Sequence, residues 1–291
     1  MKKIVILGCE NSHASSFLSA IKKHADFADV EVVGVYSDER DACEKLKAHY
    51  GVEIMDDYRD AVGKVDGVVI TARNGENHPK YAAPYLESGV PLYIDKPITN
   101  TEEDAIKFIG ELEARGIRYT GGSCLRHDVF VRELGEDNKN DVDGKTLGGA
   151  FRAPLHTESP YGGFHFYAPH LIESVMVIFG KDVKSVRAFR TGIQTTVIFR
   201  YPNFDVTGLF VENNYVYYAT RHSEKGVKAG KIASGAGNDW IYNEFNDYYK
   251  LLCGGKTDVS PEDFVAPVFV ANAVLRALES GNEEPVHEIK F

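Results

Sequence analysis

The sequence predicts an α/β protein: a doubly wound parallel sheet over residues 1–122, then a second α/β domain over residues 123–291 with an open, mainly antiparallel sheet, its last helices able to pack back on the first domain. Three observations predict it. Short, wholly apolar runs alternate with stretches of helical periodicity as far as Gly122; each run stops abruptly at polar or charged residues; and from about Gly148 the apolar period changes to two. A chain of 291 residues is long enough for two hydrophobic cores.

Residues 3–8 form the continuous apolar run expected of a central parallel strand covered on both faces. Gly8-Cys9-Glu10-Asn11-Ser12-His13 follows, and then a helical stripe of Phe17, Leu18 and Ile21. Strand, turn and helix in that order suit a nucleotide-binding unit, whose helix amides receive a pyrophosphate. They also suit a plain polar connection capped by Asn11 or Ser12. Of the fingerprint G-x-G-x-x-G only Gly8 stands: Glu10 holds the second glycine position and His13 the third. A carboxylate at the second position adds bulk and like charge beside a diphosphate.

Residues 30–36 read as the second strand, ending at Ser37-Asp38-Glu39-Arg40, with a helix on to about His49. In nucleotide-binding folds an acid at this strand end selects NAD and an arginine accommodates the extra phosphate of NADP. Asp38 suits the first, Ser37 with Arg40 the second. A third strand within residues 65–74 ends at Thr71-Ala72-Arg73-Asn74, and His78 opens a helix reaching about Ser88.

Residues 90–94 form the next strand, which halts at Asp95-Lys96-Pro97. Ligands of open α/β sheets bind at the carboxyl ends of the strands, so Lys96 is expected to face one. Proline has no amide for the ladder and its preceding bond adopts cis at modest cost, which holds Lys96 in a fixed direction. The plainer reading is a surface lysine at a strand end. A helix over residues 102–115 and a strand over 118–122 complete the repeated βα pattern.

These residues resemble the Gfo/Idh/MocA family of NAD(P)-dependent oxidoreductases, whose Rossmann domain is followed by an open-sheet α/β domain. The counterparts of its motifs are Gly8 to His13, Thr71 to Asn74 with His78, and Asp95-Lys96-Pro97, where the family has Glu-Lys-Pro. Arg73 stands where the family's turn has proline. In the second domain the family's Asp-x-x-x-His beside a Gly-Gly stretch is matched by Gly162-Gly163-Phe164-His165-Phe166-Tyr167-Ala168-Pro169-His170. His170 fits, and Phe166 replaces the aspartate. Residues 243–253, the Gly254-Gly255-Lys256 turn and a last helix from Ser260-Pro261 to Ser280 continue the likeness.

The resemblance implies NAD or NADP as cofactor, with Asp95 by the nicotinamide ribose. The expected cofactor-binding set is Gly8, Glu10, Asn11, Ser12, His13, Ser37, Asp38, Arg40, Thr71, Ala72, Arg73, Asn74, His78, Asp95, Lys96 and Pro97. The substrate, a sugar, inositol or related polyol, falls to Lys96, His165, Tyr167 and His170, with Lys96 and His170 sharing the proton chemistry. Two further readings follow from Glu10 and Phe166: a cofactor-poor relative that binds a small polar ligand as a sensor or accessory subunit, or one retooled for lyase or isomerase chemistry.

In the second half, Ile193, Thr195, Val197 and Phe199 alternate with Gln194, Thr196 and Ile198, and further such runs lie near residues 206–210 and 215–220. They imply a sheet covered by helices on one face. The resemblance makes the other face a subunit contact, hence a homodimer or homotetramer. His156, His165 and His170 match no helical ligand spacing, so no metal is expected. Phe164 to Tyr167 reads as packing, with Tyr167 also placed to line a pocket.

Composition narrows the remainder. A net charge of −10 disfavours nucleic acid, which needs clustered Lys and Arg. Cys9, Cys43, Cys124 and Cys253 lack C-x-x-C spacing, which argues for reduced thiols rather than a redox pair or zinc knuckle. Only about five apolar residues follow Lys2 and Lys3, too few for a signal peptide, so a cytoplasmic protein without membrane partners is expected.

Overall fold

A computed structural model describes residues 1–232, 238–257 and 259–291. The first apolar run is β1 (Lys2–Leu7), its last four residues fully buried. It leads to α1 (Ser12–Lys23), β2 (Val30–Tyr36), α2 (Arg40–Tyr50), β3 (Gly67–Ile70), α3 (Asn77–Ala82), β4 (Leu92–Asp95), α4 (Glu102–Ala114) and β5 (Tyr119–Gly122). These strands pair in parallel in the order β2-β1-β3-β4-β5. Ile54 adds a single parallel bridge to Val35 outside β2, a rudimentary strand that completes the Rossmann order 3-2-1-4-5-6. The order reverses between β1 and β3, the point at which doubly wound sheets open a crevice for ligands.

The helix expected to reach Ser88 is α-helical only to Ala82 and tightens to a 3-10 turn over Ala83–Ser88. Pro84 explains the change: it has no amide to offer the carbonyl four residues earlier.

The remaining elements are α5 (Val129–Lys139), β6 (Thr146–Leu155), α6 (Phe164–Phe179), β7 (Ser185–Thr191), β8 (Gln194–Arg200), β9 (Asp205–Glu212), β10 (Tyr217–Ser223), β11 (Gly226–Ile232), α7 (Trp240–Leu252), α8 (Pro261–Ser280) and β12 (Glu283–Pro285). The second sheet runs β11-β10-β6-β9-β8-β7-β12, and only β6 and β9 pair in parallel. On β8, Thr195, Val197 and Phe199 are buried while Gln194, Thr196 and Ile198 face outward. The inner face packs on α6, which is buried along most of its length. The fold is therefore the parallel sheet plus mainly antiparallel sheet that the two periodicities imply.

Two compact units result: residues 1–100, 104–122 and 241–261 form one, and residues 101–103, 123–240 and 262–291 the other. The first unit thus reclaims α7 from Ile241 onward. Phe245 and Tyr248 are the reason. Both are fully buried among Phe17, Phe27 and Tyr93, with Phe17 edge-on to Tyr93 at 4.9 Å and Phe27 edge-on to Phe245 at 4.9 Å. Each such ring is worth about 1.5–3 kcal/mol by burial. Glu244 on the same helix accepts from the Tyr93 hydroxyl at 2.6 Å, which satisfies a polar tip inside the core.

Candidate active site

At the crevice of the first unit, Gly8 turns the chain with φ +73°, and a Cβ on it would lie 2.5 Å from Ala72. The turn from β1 therefore packs directly against the end of β3, and the Thr71 hydroxyl ties the two by donating to the Gly8 carbonyl at 3.0 Å. Asn11 caps α1 through its side-chain oxygen, which accepts from the His13 amide at 3.2 Å and from the Ser12 hydroxyl at 3.3 Å. Its amide group donates to Asp95 at 2.8 Å. His13 Nδ1 meets the same carboxylate oxygen at 2.9 Å.

Asp95 is thus a buried anchor at the end of β4. Burial raises its carboxyl, but the charge and hydrogen bond of His13, with Lys96 beside it, outweigh this and hold it below the usual carboxylate range. The other Asp95 oxygen accepts from the Lys96 amide at 2.7 Å. Lys96 follows, 4% exposed, joined to Pro97 by a cis peptide bond. The plain surface lysine is overturned here: the strand end carries this cation inward.

At the other end, Asp38 accepts from the Tyr36 hydroxyl at 2.8 Å and pairs with Lys80 at 3.0 Å. Although burial raises its carboxyl, these donors bring it below the ordinary range. Arg40 is turned to the Met55 carbonyl and Asp56, both at 3.3 Å, with Glu44 at 3.6 Å. It does not join Ser37, whose hydroxyl donates to Glu10 at 2.6 Å. Asn74 accepts from the Glu76 amide and the Asn100 side chain, shaping the turn after β3. His78 is fully buried, with Nε2 at 2.9 Å from the Ala72 carbonyl and Nδ1 at 3.3 Å from that of Ile98. It braces the loops behind the crevice.

Three features suit a dinucleotide: the tight turn at Gly8, the amino end of α1, and a carboxylate with a lysine at the end of β4. One opposes it. Glu10 lays its carboxylate across the end of β1, bonded to Ser37 on one side and to the Arg73 amide at 3.0 Å on the other.

In the second unit, His170 lies on α6 and is 6% exposed. Its Nδ1 is 2.7 Å from the Ser123 hydroxyl, which in turn accepts from the Leu125 amide at 3.2 Å. The Ser123 amide donates to Glu173 at 2.7 Å, and Arg126 stands 3.9 Å from that carboxylate. Phe166 does not stand in for the aspartate. It packs among Tyr161, Tyr167 and His156, with ring centroids 5.3–6.1 Å away. Tyr167 lies edge-on to His170 at 5.1 Å, and burial with the neighbouring Tyr215 pushes its hydroxyl up to about 12. His156 accepts or donates at Nε2 to the Tyr215 hydroxyl at 2.7 Å. His165 is buried at the start of α6, edge-on to Phe164. Among the described residues, no group of three or more His, Cys, Asp or Glu is arranged to hold a metal ion.

Sequence reasoning missed Ser123 and Glu173. Only the Glu173 spacing, three residues after His170 on one helix, carried a signal. All four cysteines are free thiols, and Cys9, Cys43 and Cys124 are buried, in keeping with the reduced thiols expected. Cys9 and Cys43 bring their sulfurs to 3.3 Å, both buried, because the turn after β1 and the first turn of α2 converge. Cys9 is raised and Cys43 lowered by their mutual hydrogen bond. Cys253 is exposed.

Residues 2–123 match the model of the GFO_IDH_MocA oxidoreductase family, NAD-binding Rossmann fold. The curated inositol 2-dehydrogenase 3 of Saccharopolyspora erythraea is 28% identical over 109 residues, covering 36% of this chain and 32% of that protein. The chain thus spans about a third of the length of that curated relative. Among solved structures, a myo-inositol dehydrogenase from Corynebacterium glutamicum superposes with a TM-score of 0.83 at 16% identity, covering 99% of this chain and 100% of that one. The scyllo-inositol dehydrogenase from Lactobacillus casei with bound NAD(H) and scyllo-inositol does so with 0.83 at 15% identity, over 98% and 99%. At these identities the likeness is one of fold. Among the described residues no helix is long and apolar enough to cross a membrane. The match to the GFO_IDH_MocA oxidoreductase family model, NAD-binding Rossmann fold, is therefore one of the first domain, residues 2–123.

Proposed function

We propose that the protein is an NAD(P)-dependent oxidoreductase acting on a hydroxyl of a sugar, inositol or related polyol. The observation that carries the reading is the end of β4. A buried Asp95 anchored by Asn11 and His13 is followed by a buried Lys96 and a cis Pro97, in the crevice of a Rossmann unit that matches the family. The substrate class rests on the inositol dehydrogenases named above.

When bound, the nicotinamide cofactor supplies the hydride acceptor. The chain supplies orientation and the proton path. With the Ser123 hydroxyl donating to His170 Nδ1, the neutral ring carries its proton on Nε2. In that tautomer His170 donates a hydrogen bond to a substrate oxygen instead of removing its proton. Exchange of the hydroxyl proton is assigned to Lys96, as the family resemblance implies. The carboxylate of Asp38 and the turned-away Arg40 favour NAD over NADP. Dimerisation or tetramerisation through the open face of the second sheet is supported by Phe189, Ile193, Tyr218 and Val227, all 41–65% exposed in the single chain.

Calorimetric titration with NADH and NADPH, followed by turnover of a panel of inositols and sugars, tests the reading. Binding of NADH and reduction of NAD by one of the polyols is expected. Binding of neither nucleotide up to millimolar concentration would sink it.

A further inference from the structure

Glu10 stands where the dinucleotide fingerprint wants its second glycine, and its side chain is half-buried. Oε2 accepts from the Ser37 hydroxyl at 2.6 Å, just beyond β2, and Oε1 accepts from the Arg73 amide at 3.0 Å, just beyond β3. Since β2 and β3 pair with β1 on opposite sides, the carboxylate bridges the strand ends at the point where the strand order reverses.

A hydroxyl and a main-chain amide converging on the two oxygens of one anion form the kind of donor set that a phosphate takes. Here an internal anion takes it. The carboxylate also places a negative charge in the crevice where a diphosphate would lie against the amino end of α1. Glu10 bonds to both flanking strand ends, so its rotamer is fixed by two hydrogen bonds rather than left free to leave at no cost.

We propose that Glu10 is an intramolecular competitor for the diphosphate of the dinucleotide, its negative charge held at the strand ends by the Ser37 and Arg73 donors and setting a weak cofactor affinity. The proposal rests on the oxidoreductase reading above. It assigns the departure from the glycine fingerprint a role of its own: the bound state exists only when the nucleotide displaces or outweighs the carboxylate. This differs from an acid that holds the adenosine ribose, because a ribose ligand strengthens binding and a competitor weakens it.

The two are separated by calorimetry on the full chain with NADH, ADP-ribose and adenosine as probes. Glu10→Gln keeps the shape and both hydrogen bonds, its carbonyl accepting from Arg73 and its amide reaching Ser37, and removes only the charge. Glu10→Gly removes the side chain. We expect NADH and ADP-ribose to bind about tenfold tighter to Glu10→Gln, a change of about 1.4 kcal/mol, and at least as much tighter to Glu10→Gly if that variant folds. Adenosine, which has no phosphate, should stay within about twofold. Unchanged or weaker NADH binding by Glu10→Gln, with binding by the natural chain intact, overturns the proposal alone. Absence of NADH and NADPH binding in the natural chain and in Glu10→Gln alike overturns the cofactor reading, and this inference with it.

Discussion

The crevice of the first unit and the amino half of α6 in the second are built by different means. In the crevice, each residue is where it is because a parallel strand ends there: Gly8 after β1, Ser37 after β2, Thr71 after β3, Asp95 at the end of β4. Around His170 nothing of the kind applies. Its partner Ser123 lies 47 residues earlier in the chain, and Phe166, one turn before it on the same helix, packs elsewhere. A strand end fixes a main-chain position. A side-chain pair needs two rotamers and a tertiary contact as well.

The strongest way to break this comparison is to remove the residue at the best-ordered strand end. Lys96→Ala is expected to lower kcat on a polyol substrate by roughly 10²- to 10⁴-fold, the usual range for loss of a positioned acid–base group. The melting temperature checks that the fold survives. A variant with turnover like that of the natural chain would reduce Asp95-Lys96-Pro97 to architecture.

His170→Ala tests the other region. A group that donates a hydrogen bond to the substrate oxygen without exchanging its proton should cost less, on the order of 10- to 100-fold in kcat/KM. A loss equal to that of Lys96→Ala would show that the proton path runs through the histidine after all, and the tautomer derived from Ser123 would be wrong.

The same contrast explains what the sequence made legible. Apolar runs that stop at charged residues mark parallel strands, and so β1 to β5 and the residues after them were readable, including the wrong glycine count at Glu10. What Glu10 does was not. Its bonds to Ser37 and Arg73 join residues 27 and 63 positions apart, which no period encodes. The pairing of Cys9 with Cys43 escaped for the same reason: α2 brings one turn of helix over the loop after β1. The 3-10 end of the helix after β3 was written in Pro84. The β11 and β12 strands carry weak alternation and are mostly exposed, so only pairing with β10 and β7 defines them.

One buried histidine sharpens the comparison under acid. His78 in the first unit is fully buried, and desolvation pushes its ring below the ordinary histidine range, despite the opposing pull of Asp95 and two carbonyls. The unfolded chain takes up a proton near pH 6.5 and the folded ring does not, so stability is whole above that pH and falls as pH drops below it. Between pH 6.5 and 5 this linkage is worth at most about 2 kcal/mol. The melting temperature of His78→Gln, lower at neutral pH because a brace is lost, should depend less steeply on pH over that interval. Parallel curves for the two proteins would assign the acid sensitivity to other groups.

The smallest expected effect is the most specific to the second region. Ser123→Ala keeps the amide that Glu173 accepts and removes only the hydroxyl on His170 Nδ1. The ring then loses the partner that sets its tautomer, and about a threefold to tenfold fall in kcat/KM follows, near 1 kcal/mol. A general packing defect would give the same fall, so the pH profile must discriminate. Without the hydroxyl donating to it, Nδ1 is left freer to take a proton, and the acid limb of kcat/KM should move toward higher pH, while Ser123→Thr, which keeps a hydroxyl, should restore the natural profile. An acid limb that does not move in Ser123→Ala would mean that the Ser123 contact packs His170 without setting where its proton sits.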